Sequence, residues 1–494
     1  MSKLLSKFQS NLEGVGRQVL LGAALWAAST LPGFAASAER IKLPELGDAS
    51  SALISPSLER KIGEDFLKQI RASMPTSSDP ILKYYVERHI GQLAAYSELQ
   101  EKLQATLLID DPAINAFAVP GGVVGINLGL MLYAEDVHEF SSVLAHELAH
   151  LSQRHFARGV EEQRSQALPN LASMVAAILI GAVGGGDAGI AALSTAQAAA
   201  QANQLRYSRS REQEADRIGL NTMINANMDP KAMARMFERM QRAYRFTRRP
   251  PEFLLTHPLT ERRISDARNQ ASRYPNQKYD DSLEYQLMRT RVQAHFAETP
   301  QLAVATYRGA LTRAPDSDAA RYGLALALSA VGEHAEAIAL ADQLHSEQPN
   351  SLLLLASYAD VLINAGKADQ ARQLLSHQLV LNPDNEPLSM LYAKALAESR
   401  EFDQAQAVLT RQSRLHPNDV DVWYELAEVA GLAGDIVAVH LARAEYFALH
   451  GGYQRAIQHL EYARRLTDRR NDEQIARLDQ RIIDLRTRLR ELRS

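Results

Sequence analysis

His146 and His150 stand four residues apart, with Glu147 beside the first, in the run His146-Glu147-Leu148-Ala149-His150. On a helix that spacing puts both imidazoles on one face, where they can grip a single metal ion. Glu147 then points beside the ion and is placed to act as a general base toward water. Val143, Leu144, Leu148 and Leu151 make the flanks apolar, so the helix is expected to be buried, and buried histidines need partners. Asp136, with Glu139 three residues on, supplies a capping-box-like start. Zinc, one ion per chain, is the expected cofactor, and with no cysteine in the chain no thiolate can hold it.

Two histidines do not complete such a site. A third, closely following ligand is excluded, because Gln153 and Phe156 stand where the extended pattern needs glycine and histidine. If the helix continues, His155 lies about 180° round from His146 and is structural. A second helix offers Ser208-Arg209-Ser210-Arg211-Glu212-Gln213-Glu214-Ala215-Asp216. Glu212 and Asp216 share a face there, whereas Glu214 points about 200° away from Glu212. Glu212 is therefore the expected third ligand. Asp216 is its companion, either orienting His146 or passing a proton to a leaving amine. His257, in Thr256-His257-Pro258-Leu259, has three readings: oxyanion stabiliser, occupant of the open metal position, or a turn histidine with no metal role.

These side chains need a scaffold. Residues 115–126 alternate around Pro120-Gly121-Gly122, which reads as strand, turn and strand leading toward the histidine helix. An edge strand there would let an extended peptide add by backbone hydrogen bonds. Beyond a polar stretch at 269–282, read as a linker, the chain becomes periodic. Pro315, Pro349, Pro383 and Pro417 recur every 34 residues, and Gly332, Gly366 and Gly434 keep the same phase with Arg400 at the missing step. That is the signature of tetratricopeptide repeats, stacked helical hairpins with a concave face. Helical pairs are expected to begin near Glu284, Asp318, Leu352, Glu386 and Val420. A last helix carries Ile475, Leu478, Ile482 and Leu485, either to cap the solenoid or to form a coiled-coil seam. Each half is expected to fold by itself.

At the other end, Lys3, Lys7 and Arg17 precede a short apolar core, and Ala36-Ser37-Ala38 forms a cleavage site, so residues 1–38 read as a secretory signal peptide. Absence of cysteine suits an oxidising compartment, and the bacterial periplasm is the expected location. Net charge −4 and a pI of about 6.4 exclude a nucleic-acid binder. Residues 171–183 are apolar but shorter than the roughly 20 a spanning helix needs. With the glycine and alanine-rich run to residue 202 they read as a lid or as an element resting on a membrane surface.

The Asn115-Ala116-Phe117 strand with Pro120-Gly121-Gly122, the His-Glu-x-x-His helix and the Ser208-Arg209-x-x-Glu212-x-x-Ala215-Asp216 segment together resemble the M48 family of zinc metallopeptidases. The resemblance implies ligands at His146, His150 and Glu212, a catalytic glutamate at Glu147 and a catalytic aspartate at Asp216. It implies an α+β, mostly helical metallopeptidase domain (39–282) followed by an all-α tetratricopeptide-repeat domain (283–494). With the signal peptide and the repeats, it further implies a periplasmic protease and chaperone for unfolded or stalled outer-membrane β-barrel proteins. The repeats would dock on the outer-membrane β-barrel assembly machinery. The competing reading is a chaperone or adaptor whose zinc site is occluded and mainly structural.

Overall fold

In the computed structural model, residues 54–162, 209–245 and 252–491 are described; the expected signal peptide and the 171–202 stretch lie outside them. Ser55 and Asp79 cap α1 (Pro56–Ser73) and α2 (Pro80–Ala94), each with proline in the first turn, where a missing N–H costs nothing. Three strands follow, β1 (Ala105–Ile109), β2 (Ala116–Val119) and β3 (Val123–Asn127), in the order β1-β3-β2. β3 runs parallel to β1 and antiparallel to β2. The turn between β2 and β3 depends on glycine. Gly121 has φ +85°, and a Cβ there would lie 2.6 Å from the Glu59 carbonyl oxygen.

Among the described residues no strand pairs with the outer side of β2, the edge the alternation suggested, whereas β1, a five-residue run without alternation, has no counterpart in the sequence expectations. The Asn127 N–H bonds the Asn115 carbonyl at 3.0 Å. Bonded and non-bonded pairs alternate along an antiparallel ladder, so the amides and carbonyls of Ala116 and Ala118 point away from β3 onto the open edge.

A short α3 (Gly129–Tyr133) leads into α4 (Val137–Ser152), which carries the paired histidines. Asp136 accepts the Glu139 N–H at 2.8 Å, and Glu139 reaches back to the Glu135 N–H at 2.9 Å. Every residue from Val137 to His150 is buried. α5 (His155–Glu162), α6 (Arg209–Asn225), α7 (Ala232–Tyr244), α8 (Glu252–Thr256) and α9 (Glu261–Ala271) complete this part. α4 packs against α2, α6, α7 and β2. Gly219 lets α6 pack tightly on α4: a Cβ there would stand 3.1 Å from the Ala145 carbonyl oxygen.

The polar stretch expected as a linker begins inside α9, which runs to Ala271, and the remainder is tied down. The Asp281 carboxylate accepts the Val137 N–H at 2.9 Å, and Lys231 donates to Asn276 at 2.6 Å. The solenoid then consists of α10 (Leu283–His295), α11 (Pro300–Arg313), α12 (Asp318–Val331), α13 (His334–Glu347), α14 (Leu352–Asn364) and α15 (Ala368–Leu381). It continues with α16 (Glu386–Glu398), α17 (Phe402–Leu415), α18 (Val420–Ala433), α19 (Ile436–Leu449), α20 (Tyr453–Leu466) and α21 (Asp472–Glu491). Ser317, Ser351, Asn385 and Asp419 cap the first helices in phase. Gly332, Gly366 and Gly434 turn the chain at left-handed φ, and Arg400 adopts the same conformation at φ 63°. In α21, Leu478, Ile482 and Leu485 are buried with Ala456 and Leu460 of α20, so the face a coiled coil would need is already used to cap the solenoid.

The two parts are not independent, contrary to expectation. One apolar core runs from Leu82, Phe140 and Phe237 into Tyr285 and Met288 of α10, Leu354 of α14 and Leu388 of α16. Lys83 of α2 reaches Asp419 and Asp421 at 2.6 and 2.7 Å. Arg291 of α10 joins Asp79 at 2.5 Å and Asp360 at 3.1 Å. Repeat faces expected to be open are therefore partly filled by α2, which packs on α14 and α16. No helix among the described residues is long and apolar enough to cross a membrane.

Candidate metal centre

The i, i+4 spacing on α4 places His146 and His150 side by side, their Nε2 atoms 3.0 Å apart. α6, held close by Gly219, brings Glu212 over them: its carboxylate oxygens lie 3.5 Å from His146 Nε2 and 3.5 Å from His150 Nε2. α8 ends at Thr256, and the next residue, His257, puts Nδ1 3.2 Å from Glu212 and 3.4 Å from His146 Nε2. All four side chains are buried, and their donor atoms lie within 4.8 Å of one another.

The donor set fits a metal ion. Nitrogen and carboxylate oxygen bind zinc at about 2.0–2.2 Å, which in a tetrahedron separates neighbouring donors by roughly 3.3–3.6 Å. His146 Nε2 lies 3.0 Å from His150 Nε2, 3.4 Å from His257 Nδ1 and 3.5 Å from Glu212, close to those separations, and the whole set of four spans no more than 4.8 Å. The electrostatics agree. Burial works to lower the His146 pKa, yet Asp216 and Glu212, one on each ring nitrogen, hold it up at about 9. Burial also works to raise Glu212, but His257, His146 and His150 keep it well below the usual carboxylate range. The buried Glu212 carboxylate thus stays ionised among imidazoles, a donor set that could hold a metal ion.

Glu147 sits beside this group and not within it. Its carboxylate is fully buried with no hydrogen-bond partner in ordinary geometry, and His257 Nε2 is 3.5 Å from Oε1. Burial raises its pKa, opposed by His257, His146 and the Ala118 amide on the open edge of β2. A carboxylate buried with so little hydrogen bonding is costly, and a chain that keeps one holds it for chemistry or for a missing ligand.

Asp216 lies 3.0 Å from His146 Nδ1, the nitrogen facing away from the donor group. Its other contacts are two 2.7 Å bonds from Arg263, and although burial raises it, Arg263 and His146 hold it ionised. Both oxygens are thus engaged, which favours the orienting role over proton donation. Arg263 was not singled out in the sequence. It also contacts Glu212 at 2.9 Å and donates to the Pro258 carbonyl at 3.1 Å, tying α9 and the His257 loop to α6. The sequence offers Arg262 and Arg263 side by side, and only the Thr260 cap, which sets the phase of α9, turns the second inward. Glu214 points elsewhere, as its phase required, to His155 at 3.3 Å and Arg158 at 3.1 Å. His155 does not lie across the histidine helix from His146, because that helix does not continue to it. α4 ends at Ser152 and Arg154 takes φ 47°, so the chain doubles back and seats His155 Nδ1 2.8 Å from His150 Nδ1.

Comparison with known proteins agrees with this geometry. Residues 80–271, spanning every side chain just described, match the model of peptidase family M48, and 328–395 and 362–429 match the tetratricopeptide repeat. The beta-barrel assembly-enhancing protease of Yersinia pestis is 33% identical over 90% of this chain and 91% of its own. That of Escherichia coli (strain K12) is 30% identical over 94% of this chain and 95% of its own. The mitochondrial metalloendopeptidase OMA1 of Schizosaccharomyces pombe is 28% identical over 43% of this chain and 60% of its own. A buried histidine–glutamate group within the matched family region, with likeness over nearly the full length of the two beta-barrel assembly-enhancing proteases, leads to one conclusion: the chain belongs to the M48 family of metallopeptidases, in the form that carries C-terminal tetratricopeptide repeats.

Proposed function

We propose that this metallopeptidase is a periplasmic zinc endopeptidase with chaperone activity, acting on outer-membrane β-barrel proteins that are being assembled or have stalled. The observation that carries the catalytic part is the close grouping of four buried donors with the buried Glu147 carboxylate beside them. His146, His150 and Glu212 would hold the zinc, which when bound supplies Lewis-acid chemistry to a peptide carbonyl and to water. Glu147 takes the attacking water's proton and hands it to the leaving amine. Asp216, braced by Arg263, keeps His146 in the tautomer that leaves Nε2 free. An extended segment of substrate pairs with Ala116 and Ala118 on the open edge of β2, which brings its backbone alongside Glu147.

His257 fills the fourth corner of the donor set, and a catalytic zinc needs that corner open. We assign it as a cap that leaves when substrate enters. The closed set also favours, as a second reading, a chaperone whose zinc is only structural. Glu147 separates the two, because a purely structural site has no use for a buried carboxylate beside the metal. We assign residues 1–38 to a cleaved signal peptide, 39–282 to the peptidase part and 283–494 to the repeats. Outward repeat surfaces would meet the β-barrel assembly machinery, in line with the relatives' name. The test of substrate class is crosslinking in living cells with a Glu147→Gln variant. Trapped outer-membrane β-barrel proteins are expected, and recovery of soluble periplasmic proteins alone would refute the assignment.

A further inference from the structure

We propose that His155 is a positioning residue for the metal centre, acting as the neutral hydrogen-bond acceptor that fixes the tautomer of His150. The inference rests on the metal reading above. His150 turns Nε2 toward the donor group, 3.5 Å from Glu212, and turns Nδ1 away from it. An imidazole that offers Nε2 to a metal carries its proton on Nδ1, and that proton needs an acceptor. The atom there is His155 Nδ1 at 2.8 Å. Two ring nitrogens at that distance must be one donor and one acceptor, so His155 accepts on Nδ1 and carries its own proton on Nε2. Nε2 meets the Glu214 carboxylate at 3.3 Å, and Arg158 braces that carboxylate at 3.1 Å.

Every link in the chain His150, His155, Glu214, Arg158 therefore has one consistent set of proton positions. The His155 side chain is fully enclosed, so its ring nitrogens have these protein partners and not solvent. The two metal-facing histidines are thus anchored differently: His146 by a carboxylate directly, His150 by an imidazole that relays to one. The backbone is shaped for this contact. Only the left-handed turn at Arg154, after α4 has ended, returns the chain so that the first residue of α5 faces His150. The same relay pins α5 to α6 through Glu214, next to the helix turn that carries Glu212.

The test is zinc affinity of the purified full chain, measured by competition with a chromogenic chelator, alongside the thermal midpoint of the metal-free protein. His155→Phe keeps the ring and removes the acceptor; it is expected to weaken zinc binding by about 10- to 100-fold, as loss of such a partner typically does. His155→Asn places an oxygen near the Nδ1 position and is expected to bind within about threefold of the wild type. Equal zinc affinity of His155→Phe and the wild type overturns the proposal. So does equal weakening in both variants, which would mark a packing role only. Should His155→Phe not fold, Glu214→Leu carries the test at a half-exposed position: weakening by about threefold or more supports the relay, and no change overturns it. A wild-type chain that binds no zinc overturns the metal reading and this inference with it, whereas a zinc-binding wild type with an indifferent His155 overturns this inference alone.

Discussion

Replacing Lys83 with methionine should loosen the whole molecule, because this one ammonium joins the peptidase to the repeats. Lys83 lies on α2 with its side chain 15% exposed, and contacts Asp419 and Asp421 at 2.6 and 2.7 Å. Burial works to lower its pKa, but the two carboxylates hold it above the ordinary value. Methionine preserves most of the stem while leaving two carboxylates without their cation. Breaking a buried pair by removing one partner costs about 3–5 kcal/mol, and the low end applies because Asp419 and Asp421 retain some water. With about 2.1 cal/mol/K of unfolding entropy per residue, a unit running from Leu53 to Ser494 has roughly 0.9 kcal/mol/K, so 3 kcal/mol becomes a drop of about 3 °C in Tm. Scanning calorimetry should record that drop in a single transition, since the two parts share a core. In a background carrying Asp419→Asn and Asp421→Asn the same replacement should cost under 1 kcal/mol, because the stranded charges are gone. An equal loss in both backgrounds, or a peptidase transition that melts separately and does not move, would refute the reasoning.

Glu386 should make stability fall as pH rises. Burial first, then Asp419 and Glu87, push its pKa up to about 8 against the pull of Lys83. A carboxyl whose folded pKa exceeds its unfolded value stabilises most below the unfolded value, and that contribution is lost as pH rises from about 4.5 to about 8. Glu386→Gln should therefore raise Tm at pH 8 and leave it nearly unchanged at pH 4.5; an increment that is the same at both values contradicts this. Arg400 occupies a left-handed position where the other repeats use glycine, so Arg400→Gly should stabilise the fold by about 0.5–1 kcal/mol in chemical denaturation, and a loss of stability would count against it. His257→Ala should leave zinc bound and raise background peptide cleavage, including self-cleavage. A fall of about 10²- to 10³-fold would instead identify it as an oxyanion donor.

Much of the site was legible because its geometry is local. The spacing of His146 and His150 fixes a shared helix face, Asp136 fixes where that helix starts, and the phase of Glu212, Glu214 and Asp216 sorts one residue inside, one aside and one behind. Repeats were legible for the same reason: a 34-residue period in proline and glycine leaves little freedom in where helices begin, and they begin at Asp318, Leu352, Glu386 and Val420. What escaped was decided by long-range contact or by a single dihedral. The parallel strand β1 is five residues whose partner lies across the sheet. Arg263 looks no different from Arg262 until α9 is docked. His155 looked remote only on the assumption that α4 continues, and one left-handed residue, Arg154, reverses that. The union of peptidase and repeats rests on Lys83, Arg291 and Tyr285, each of which reads in isolation as an ordinary helix residue.

The most direct test of the central claim sets metal content against peptide cleavage in the same preparations of full-length protein. Wild type and Glu147→Gln should each carry one zinc per chain, with cleavage of an unfolded polypeptide abolished in the second. The double variant His146→Ala, His150→Ala should carry none and cut nothing. Zinc retained at one per chain by the double variant, or cleavage at wild-type rate by Glu147→Gln, would contradict the assignment of this buried group as the catalytic centre.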